Sequence, residues 1–276
     1  GDTLSVSGTP TITAVDGNGN SYTLPANTAT VSGNNQSYTL PDGTASVTNG
    51  TLTVDPTKLN GLGAGESVDI TVTYDVSDGT TTTQNTATIT VTGVNDAPVV
   101  SAITDSKTED AASFDTDLLS GQTDPDGDTL SVTGTPSITA VDGNNQSYTL
   151  PDGTASVANG TLTVDPTKLN GLGAGESVDI TVTYDVSDGT TTTQNTATIT
   201  VTGVNDAPVV SAITDSKTED AASFDTDLLS GQTDPDGDTL SVTGTPSITA
   251  VDGNNQSYTL PDGTASVANG TLTVDP

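Results

Sequence analysis

Residues 177–186 read SVDITVTYDV, and this stretch decides the fold class. Apolar side chains occupy every second position, at Val178, Ile180, Val182, Tyr184 and Val186. Polar side chains occupy the positions between them. Because successive side chains of a strand point to opposite faces of a sheet, this alternation predicts a half-buried antiparallel strand.

Turn signals and shorter alternating segments surround this strand. Residues 196–201 repeat the alternation after a turn at Ser187-Asp188-Gly189, and residues 155–164 form a hairpin around Asn159-Gly160, a dipeptide typical of type I′ turns. A short helical turn is expected over residues 169–175. Short strands with turn signals every 8–12 residues or so are typical of a β-sandwich. The sequence therefore predicts an all-β protein.

The chain repeats itself with a period of 110 residues. The hexapeptide GVNDAP stands at residues 93–98 and again at 203–208, and residues 49–166 are identical to residues 159–276. This period is too long for a solenoid repeat and suits an independent domain. The sequence thus predicts tandem antiparallel β-sandwich domains joined end to end.

Three units follow from this period. We expect residues 94–203 to form a complete unit, residues 1–93 a unit without its start, and residues 204–276 a unit without its end. The first unit carries 16 extra residues, in which SYTLP at 21–25 is repeated at 37–41. We expect this local duplication to add a pair of strands or to lengthen a hairpin.

The composition excludes several classes of protein. The chain has 36 acidic residues against four lysines, a net charge of −32, and no Arg, Cys, His, Met or Trp. An acidic surface makes nucleic acid an unlikely partner. Without Cys or His the usual ligands for zinc, haem and iron–sulfur clusters and the common nucleophile–base pairs are missing, so no enzyme is expected. No apolar run is long enough to insert into a membrane.

The predicted core is thin for the charge that the unit carries. In residues 94–203, Leu, Ile, Val and Phe together make up 23 of the 110 residues, while 16 acidic residues face two lysines. Little apolar burial and strong self-repulsion leave such a unit marginally stable unless something neutralises the acids. Carboxylate, amide and carbonyl oxygens are ligands for hard cations, above all Ca²⁺.

The acids gather where strands are predicted to begin or end. The clusters are Asp124-Pro125-Asp126-Gly127-Asp128, Glu109-Asp110, Glu176, Asp185 with Asp188, and Asn205-Asp206. In a sandwich, strand ends lie at the two poles, where several carboxylates repel one another unless a cation lies among them. A plain solvated turn is the alternative for the DPDGD segment, because Asp, Pro and Gly form turns. The segment is not an EF-hand loop, since its glycine is fourth and residue 135 is Thr.

Four motifs taken in this order resemble a known family. GVNDAP at 203–208, Glu109-Asp110, DPDGD at 124–128 and YDVSDG at 184–189 resemble the cadherin-like tandem extender repeats of giant bacterial RTX-type adhesins, close to the VCBS and biofilm-associated families. The resemblance implies Ig- or cadherin-like sandwiches that bind Ca²⁺ between successive domains. It also implies an extracellular protein, secreted or on a bacterial cell surface.

The resemblance implies a ligand set at each junction. The first junction would use Glu66, Asn95 and Asp96 with Asp124, Asp126 and Asp188. The second would use Glu109, Glu176, Asn205 and Asp206 with Asp234 and Asp236. Asp128, Asp185 and Asp238 complete the predicted metal ligands. The linker departs from the animal cadherin pattern at Gly203 and Ala207, which stand where that family has Asp and Asn, and Gly203 is expected to act as a backbone swivel.

Three functional interpretations remain open on this sequence. Near-identical units suit a repeated mechanical task, which favours a calcium-stabilised spacer that extends a binding tip or builds matrix, with the neighbouring repeats as its partners. The alternatives are a carbohydrate- or cell-binding adhesion module and a subunit that associates with like chains in an extracellular filament. The 16-residue insertion is the candidate for a specialised surface.

Overall fold

A computed structural model describes residues 3–16, 21–23, 29–33, 36–40 and 43–276. Its regular structure consists of β-strands and two short 3₁₀ helices. Within the described residues, no helix is long and apolar enough to cross a membrane. The prediction of an all-β protein is confirmed.

The described residues of the first unit contain eight strands. They are β1 (Ser5–Asp16), β2 (Ser21–Thr23), β3 (Ala29–Gly33), β4 (Gln36–Leu40), β5 (Ala45–Thr48), β6 (Thr51–Val54), β7 (Ser67–Ser77) and β8 (Thr82–Thr92). One sheet has the order β2-β1-β7-β8, and β5 pairs with β6. β3 pairs with β4 in an antiparallel hairpin. The insertion therefore adds a pair of strands, as expected from the duplication.

The second unit is a seven-stranded sandwich. Its strands are β9 (Ile103–Thr108), β10 (Phe114–Asp117), β11 (Ser131–Asp142), β12 (Ala155–Ala158), β13 (Thr161–Val164), β14 (Ser177–Ser187) and β15 (Thr192–Thr202). One sheet has the order β11-β14-β15-β9 and the other the order β10-β13-β12. All pairs are antiparallel except β15 with β9, which is parallel. Two sheets face to face with seven strands form an Ig-like sandwich.

The third unit contains five described strands. They are β16 (Phe224–Asp227), β17 (Ala250–Val251), β18 (Ser257–Tyr258), β19 (Ala265–Ala268) and β20 (Thr271–Val274). The sheet β16-β20-β19 repeats the small sheet of the second unit, and β17 pairs with β18. Each described sheet uses strands of one predicted unit only. The exact unit boundaries stay a prediction.

Residues 177–186, which lie in β14, form the centre of the second unit. Val178, Ile180 and Val182 of β14 are fully buried, and the residues between them are only partly buried. They pack with Leu118, Leu162 and the alternate residues of β15 in one apolar cluster. The hydroxyl of Tyr184 donates to the carbonyl of Leu118 at 2.8 Å and accepts from Asn195 at 2.8 Å. The buried hydroxyl of Tyr184 therefore both donates and accepts a hydrogen bond, as burial of a polar group requires.

The structure tests two local predictions, the Asn159-Gly160 hairpin turn and the helical turn over residues 169–175. Asn159 and Gly160 both have positive φ, at 51° and 76°, as a type I′ hairpin between β12 and β13 requires. The helical turn expected over residues 169–175 is wrong: a 3₁₀ helix covers Pro166–Leu169 instead, and its counterpart covers Pro56–Leu59. Proline favours the first turn of a helix, whereas the glycines at 171, 173 and 175 disfavour its continuation.

Candidate metal centre

The turn between β10 and β11 brings three carboxylates together. Oδ1 of Asp124 accepts the backbone N–H of Asp126 at 2.9 Å and that of Asp128 at 3.3 Å, and Gly127 closes the turn with φ of +80°. Carboxylate oxygens of Asp124, Asp126 and Asp128 lie within 4.8 Å of one another. The turn thus concentrates up to three negative charges in a volume that one cation fits.

Burial makes this cluster costly without a cation. Asp126 is only 4% exposed, and its Oδ1 and the Oδ2 of Asp124 are buried without a hydrogen-bond partner. Desolvation raises the pKa of the Asp126 carboxyl. Repulsion from Asp96, Asp124 and Asp128 raises this pKa further, whereas the hydrogen bond from the backbone N–H of Asp96 lowers it. Buried oxygens that lack donors are the atoms a hard cation would use, so the residues present fit Ca²⁺.

The linker and the preceding unit reach the same cluster. The backbone N–H of Asp96 donates to Oδ2 of Asp126 at 2.7 Å. A Cβ placed on Gly63 would lie 3.5 Å from the Cβ of Asp126, so the loop after the first 3₁₀ helix packs directly on this aspartate. Asp126 is therefore in contact with both the linker and the first unit.

Asn95 joins the linker to the end of β14. Its Nδ2 donates to the carbonyl of Asp96 at 2.7 Å and to Oδ2 of Asp188 at 2.9 Å. Asp188 in turn accepts the backbone N–H groups of Thr190 and Thr191, each at 2.6 Å, and the hydroxyl of Thr191. These hydrogen bonds, led by the Thr191 side chain, lower the pKa of the Asp188 carboxyl strongly. Asp188 stays ionised and holds the linker through Asn95.

The second junction repeats the first. The N–H of Asp206 donates to Oδ2 of Asp236 at 2.8 Å, and the buried Oδ1 of Asp236 has no hydrogen-bond partner. Oxygens of Asp234, Asp236 and Asp238 again lie within 4.8 Å of one another. Desolvation and then repulsion from Asp110, Asp236 and Asp234 raise the pKa of the Asp206 carboxyl.

Glu109 is the most deeply buried acid of the second junction. It is 0% exposed, and its carboxylate accepts the N–H of Leu172 at 3.2 Å and the N–H of Val204 at 2.6 Å. Desolvation raises its pKa more than these hydrogen bonds lower it, and Asp206 and Asp236 add repulsion. Glu109 therefore ties the start of its unit, the loop after the second 3₁₀ helix and the linker together beside the acidic cluster.

The other predicted ligands have local partners. Oε2 of Glu66 accepts the N–H of Gly63 at 3.2 Å, and Oε2 of Glu176 accepts the N–H of Gly173 at the same distance. Nδ2 of Asn205 donates to the carbonyl of Asp206. Asp185 lies on β14, its carboxylate beside Gly134 in the irregular part of β11. For all fifteen residues, metal ligation stays a prediction.

Two further residues shape the junction: Asn170, which the sequence did not single out, and Gly203, for which a backbone swivel was expected. Nδ2 of Asn170 donates to Oδ2 of Asp206 at 2.6 Å. A Cβ on Gly203 would lie 2.2 Å from the carbonyl oxygen of Leu172, so no other residue fits there without a shift, and the N–H of Gly203 donates to the carbonyl of Glu176. The expected swivel is wrong, because Gly203 is packed against a loop and hydrogen-bonded. The signal for Asn170 in the sequence is its recurrence after 110 positions, since Asn60 is its equivalent in the first unit.

The lysines do not neutralise these clusters. In the part of the chain that the structure describes, the ion pairs are Lys107 with Asp105 and Lys217 with Asp215, both within β9 or its repeat. Each of these lysines also lies over a phenylalanine ring, 5.1 Å and 5.4 Å from the ring centroids. Neither of these ion pairs includes a carboxylate of the acidic turns.

Comparisons with known proteins agree with the architecture. The family described as the bacterial Ig domain matches residues 95–202. No curated protein matches the chain in sequence.

Three solved structures show distant likeness. An endo-fucoidan hydrolase, MfFcnA4 from glycoside hydrolase family 107, is 20% identical, with a TM-score of 0.24 over 74% of this chain and 24% of that one. Extracellular cadherin domains 1–4 of protocadherin gamma B7 are 12% identical, with a TM-score of 0.27 over 100% and 63%. Human protocadherin-24 EC1-2 is 14% identical, with a TM-score of 0.24 over 66% and 82%.

These structural likenesses carry no argument about arrangement or activity, because their TM-scores are low. The chain spans about a quarter of the hydrolase that it matches. The family match lies within the second unit, which has seven strands in two sheets. Residues 95–202 are thus similar in sequence to the bacterial Ig domain and form a seven-stranded β-sandwich in a chain of near-identical repeated units.

Proposed function

We propose that the chain is a calcium-stabilised spacer segment of a bacterial extracellular adhesin or surface filament. The observation that carries the proposal is the repeated junction. At both junctions a linker N–H donates to one carboxylate oxygen of an aspartate, Asp126 or Asp236, whose other oxygen is buried without a hydrogen-bond partner. Oxygens of this kind, in a group of three carboxylates, suit Ca²⁺.

Bound calcium would hold the angle between successive units fixed. The first unit contributes the loop at Gly63, the linker contributes Asp96, and the second unit contributes Asp124 and Asp126. Without a cation, repulsion among these carboxylates opposes the close approach of the two poles. A bound cation removes the repulsion and holds groups from both sides around one point, so the joint stiffens.

A stiff row of repeats serves as a distance element. Strands of 11 residues at about 3.3 Å each make a unit roughly 36 Å long. Because the units are near-identical, each added copy extends the row by the same length. This suits a protein that holds a binding tip away from a cell surface. A spacer with this role would be extracellular.

Small-angle scattering on the whole chain tests the proposal. Adding Ca²⁺ at about 10 mM, well above the roughly 10⁻⁴–10⁻³ M affinity of extracellular sites, should narrow the distance distribution and increase the maximum dimension. The double variant Asp126→Ala with Asp236→Ala should lose this response. Asp152→Ala with Asp262→Ala removes the same charge from exposed turns and should keep it. An unchanged distribution with and without Ca²⁺ in the natural chain would overturn the proposal.

A further inference from the structure

The first and last strands of the second unit are neighbours in one sheet. β9 follows the linker from the first unit, and β15 precedes the linker to the third. The two strands pair in parallel, from Ile103 opposite Ala197 to Thr108 opposite Thr202. A pull on the two linkers therefore draws β9 and β15 in opposite directions along their length, so that the evenly spaced hydrogen bonds of the parallel pair share the load.

Further hydrogen bonds fasten this strand pair at both ends. Before β9, the carbonyl of Ser101 accepts a hydrogen bond at 3.0 Å from the side chain of Asn195, which is buried. After β9, the backbone N–H of Glu109 donates to the carbonyl of Thr202 at 3.0 Å. The two strands are thus held together beyond each end of their paired residues.

The side chain of Glu109 extends this fastening to the outgoing linker. Its carboxylate accepts the N–H of Val204 at 2.6 Å and the N–H of Leu172 at 3.2 Å. The side chain is fully buried, and a short hydrogen bond to a charged group is strong where water is excluded. Val204 lies beyond the end of β15, so this bond joins the linker itself to the residue that follows β9.

We propose that β9 and Glu109 form a direct load path between the two linkers, with the Glu109–Val204 hydrogen bond as a latch. Tension that enters at Ile103 runs along β9 and leaves through the latch. The rest of the sandwich is loaded fully only after the latch opens and β9 slides along β15. This mechanical function deepens the proposed spacer role, on which it rests, because a spacer between a cell and a binding tip is pulled at both ends.

Optical-tweezers measurements on the whole chain in EDTA test the load path. The chain contains no cysteine, so introduced cysteine pairs are unique attachment points. Val94→Cys with Val210→Cys, both at exposed positions, loads the second unit through its linkers. Ser101→Cys with Gln194→Cys, also exposed, pulls apart the adjacent ends of β9 and β15, where the paired residues separate one after another.

The direction of pulling should decide how long the folded unit survives. Forced unfolding is governed by the unfolding rate, so the lifetime at one constant force is the quantity to compare. The lifetime should be about tenfold longer for the linker pair than for the strand-end pair, which corresponds to about 1.4 kcal/mol of barrier height.

Removing the latch should affect one direction only. Glu109→Ala should shorten the lifetime about tenfold when the linkers are pulled. It should leave the lifetime unchanged for the strand-end pair, because Ser101 and Gln194 lie at the opposite end of the two strands from Glu109. Asp110→Ala is the matched control: it removes the exposed carboxylate of the next residue and should change neither lifetime.

A second variant keeps the test decisive where Glu109→Ala does not fold. Glu109→Gln retains one oxygen that can accept from only one of the two N–H groups, so it should shorten the lifetime under linker pulling to a smaller extent. The same comparison between the two directions applies to it.

Several outcomes would overturn the load path. They are equal lifetimes of the natural chain in the two directions, an unchanged lifetime of the Glu109 variants under linker pulling, or the same loss in Asp110→Ala. A loss in Glu109→Ala that is equal in both directions would show an ordinary contribution to stability and would overturn the latch. Because EDTA removes free cations, a failed calcium response in scattering leaves this result intact, and the reverse also holds.

Discussion

The backbone nitrogen of Asp206 lies 2.8 Å from Oδ2 of Asp236, and this hydrogen bond joins the linker to the acidic turn of the following unit. The same bond joins Asp96 to Asp126 at 2.7 Å. One oxygen of each turn aspartate is thereby used, and the other remains buried without a partner. The linker thus fixes the orientation of the carboxylate whose free oxygen is available to a cation.

Calcium should raise the thermal midpoint of the chain. Binding to the folded state alone stabilises by RT ln(1 + [L]/Kd), about 1.4–2.7 kcal/mol at a tenfold to hundredfold excess of ligand. At roughly 4–8 °C per kcal/mol for a domain of this size, Ca²⁺ at about 10 mM should raise the midpoint by about 6–22 °C relative to EDTA. Differential scanning calorimetry measures the shift, and superimposable transitions would count against a calcium site.

Single substitutions should separate metal ligands from turn residues. Asp126→Ala removes a buried carboxylate at the first junction and should lower the number of Ca²⁺ bound to the whole chain, as measured by isothermal titration calorimetry. Asp152→Ala removes an exposed carboxylate from a turn and should leave the isotherm unchanged. Equal isotherms for the two variants would show that Asp126 is not a ligand.

The close contact at Gly203 should make even a methyl group destabilising. A Cβ there would lie 2.2 Å from the carbonyl oxygen of Leu172 and 2.3 Å from that of Gly173. Gly203→Ala should therefore cost about 1–3 kcal/mol of unfolding free energy, the usual cost of overpacking. Gly173→Ala is the control, since its Cβ would meet nothing closer than 3.6 Å, at Asp236. Urea unfolding of both variants gives the comparison, and equal midpoints would contradict the contact.

Without metal, stability should rise as the pH falls from neutral towards about 4.5. The pKa values of Glu109, Asp126 and Asp206 are raised in the folded chain, so the folded state binds protons in this range that the unfolded state does not. Below about pH 4 the trend should reverse, because Asp188 has a lowered pKa and its stabilising charge is lost on protonation.

Urea unfolding in EDTA at several pH values measures this dependence. Glu109→Gln should flatten the rise between neutral pH and about 4.5, because it removes one of the groups that take up a proton on folding. In Ca²⁺ the slope should change sign, since the cation binds the carboxylates in competition with protons. A stability in EDTA that falls steadily from pH 7 to pH 5 would contradict the raised pKa values.

The hydroxyl of Tyr184 should matter more than that of Tyr74, although the two strands have the same sequence. Tyr184→Phe removes the hydroxyl that donates to the buried carbonyl of Leu118 and leaves the amide of Asn195 with its hydrogen bond to the carbonyl of Ser101, which should cost about 1–3 kcal/mol. Tyr74→Phe loses one hydrogen bond to an exposed asparagine, Asn85, and should cost less. Chemical unfolding compares the two, and a larger loss for Tyr74→Phe would contradict the assignment of the core.

Much of the fold follows from local sequence. The alternation over residues 177–186 determined β14 and which of its faces is buried, and Asn159-Gly160 determined a hairpin turn. The 110-residue period determined that the architecture repeats. These features depend on side-chain periodicity and on backbone preferences of single residues, which a sequence states directly.

Only the tertiary structure shows that residues of the same type, in repeated strands or in one turn, differ in how deeply they are buried. Ile89 and Ile199 lie in identical strands, yet Ile89 is 43% exposed and Ile199 is buried: β9 pairs with the outer edge of β15, whereas no described strand pairs with that edge of β8. Asp124, Asp126 and Asp128 alternate in one turn, yet Asp126 alone is buried, because the linker amide of Asp96 and the loop at Gly63 close over it. Burial and hydrogen-bond satisfaction are set by whichever distant segment packs on a residue, and the local sequence does not contain that information.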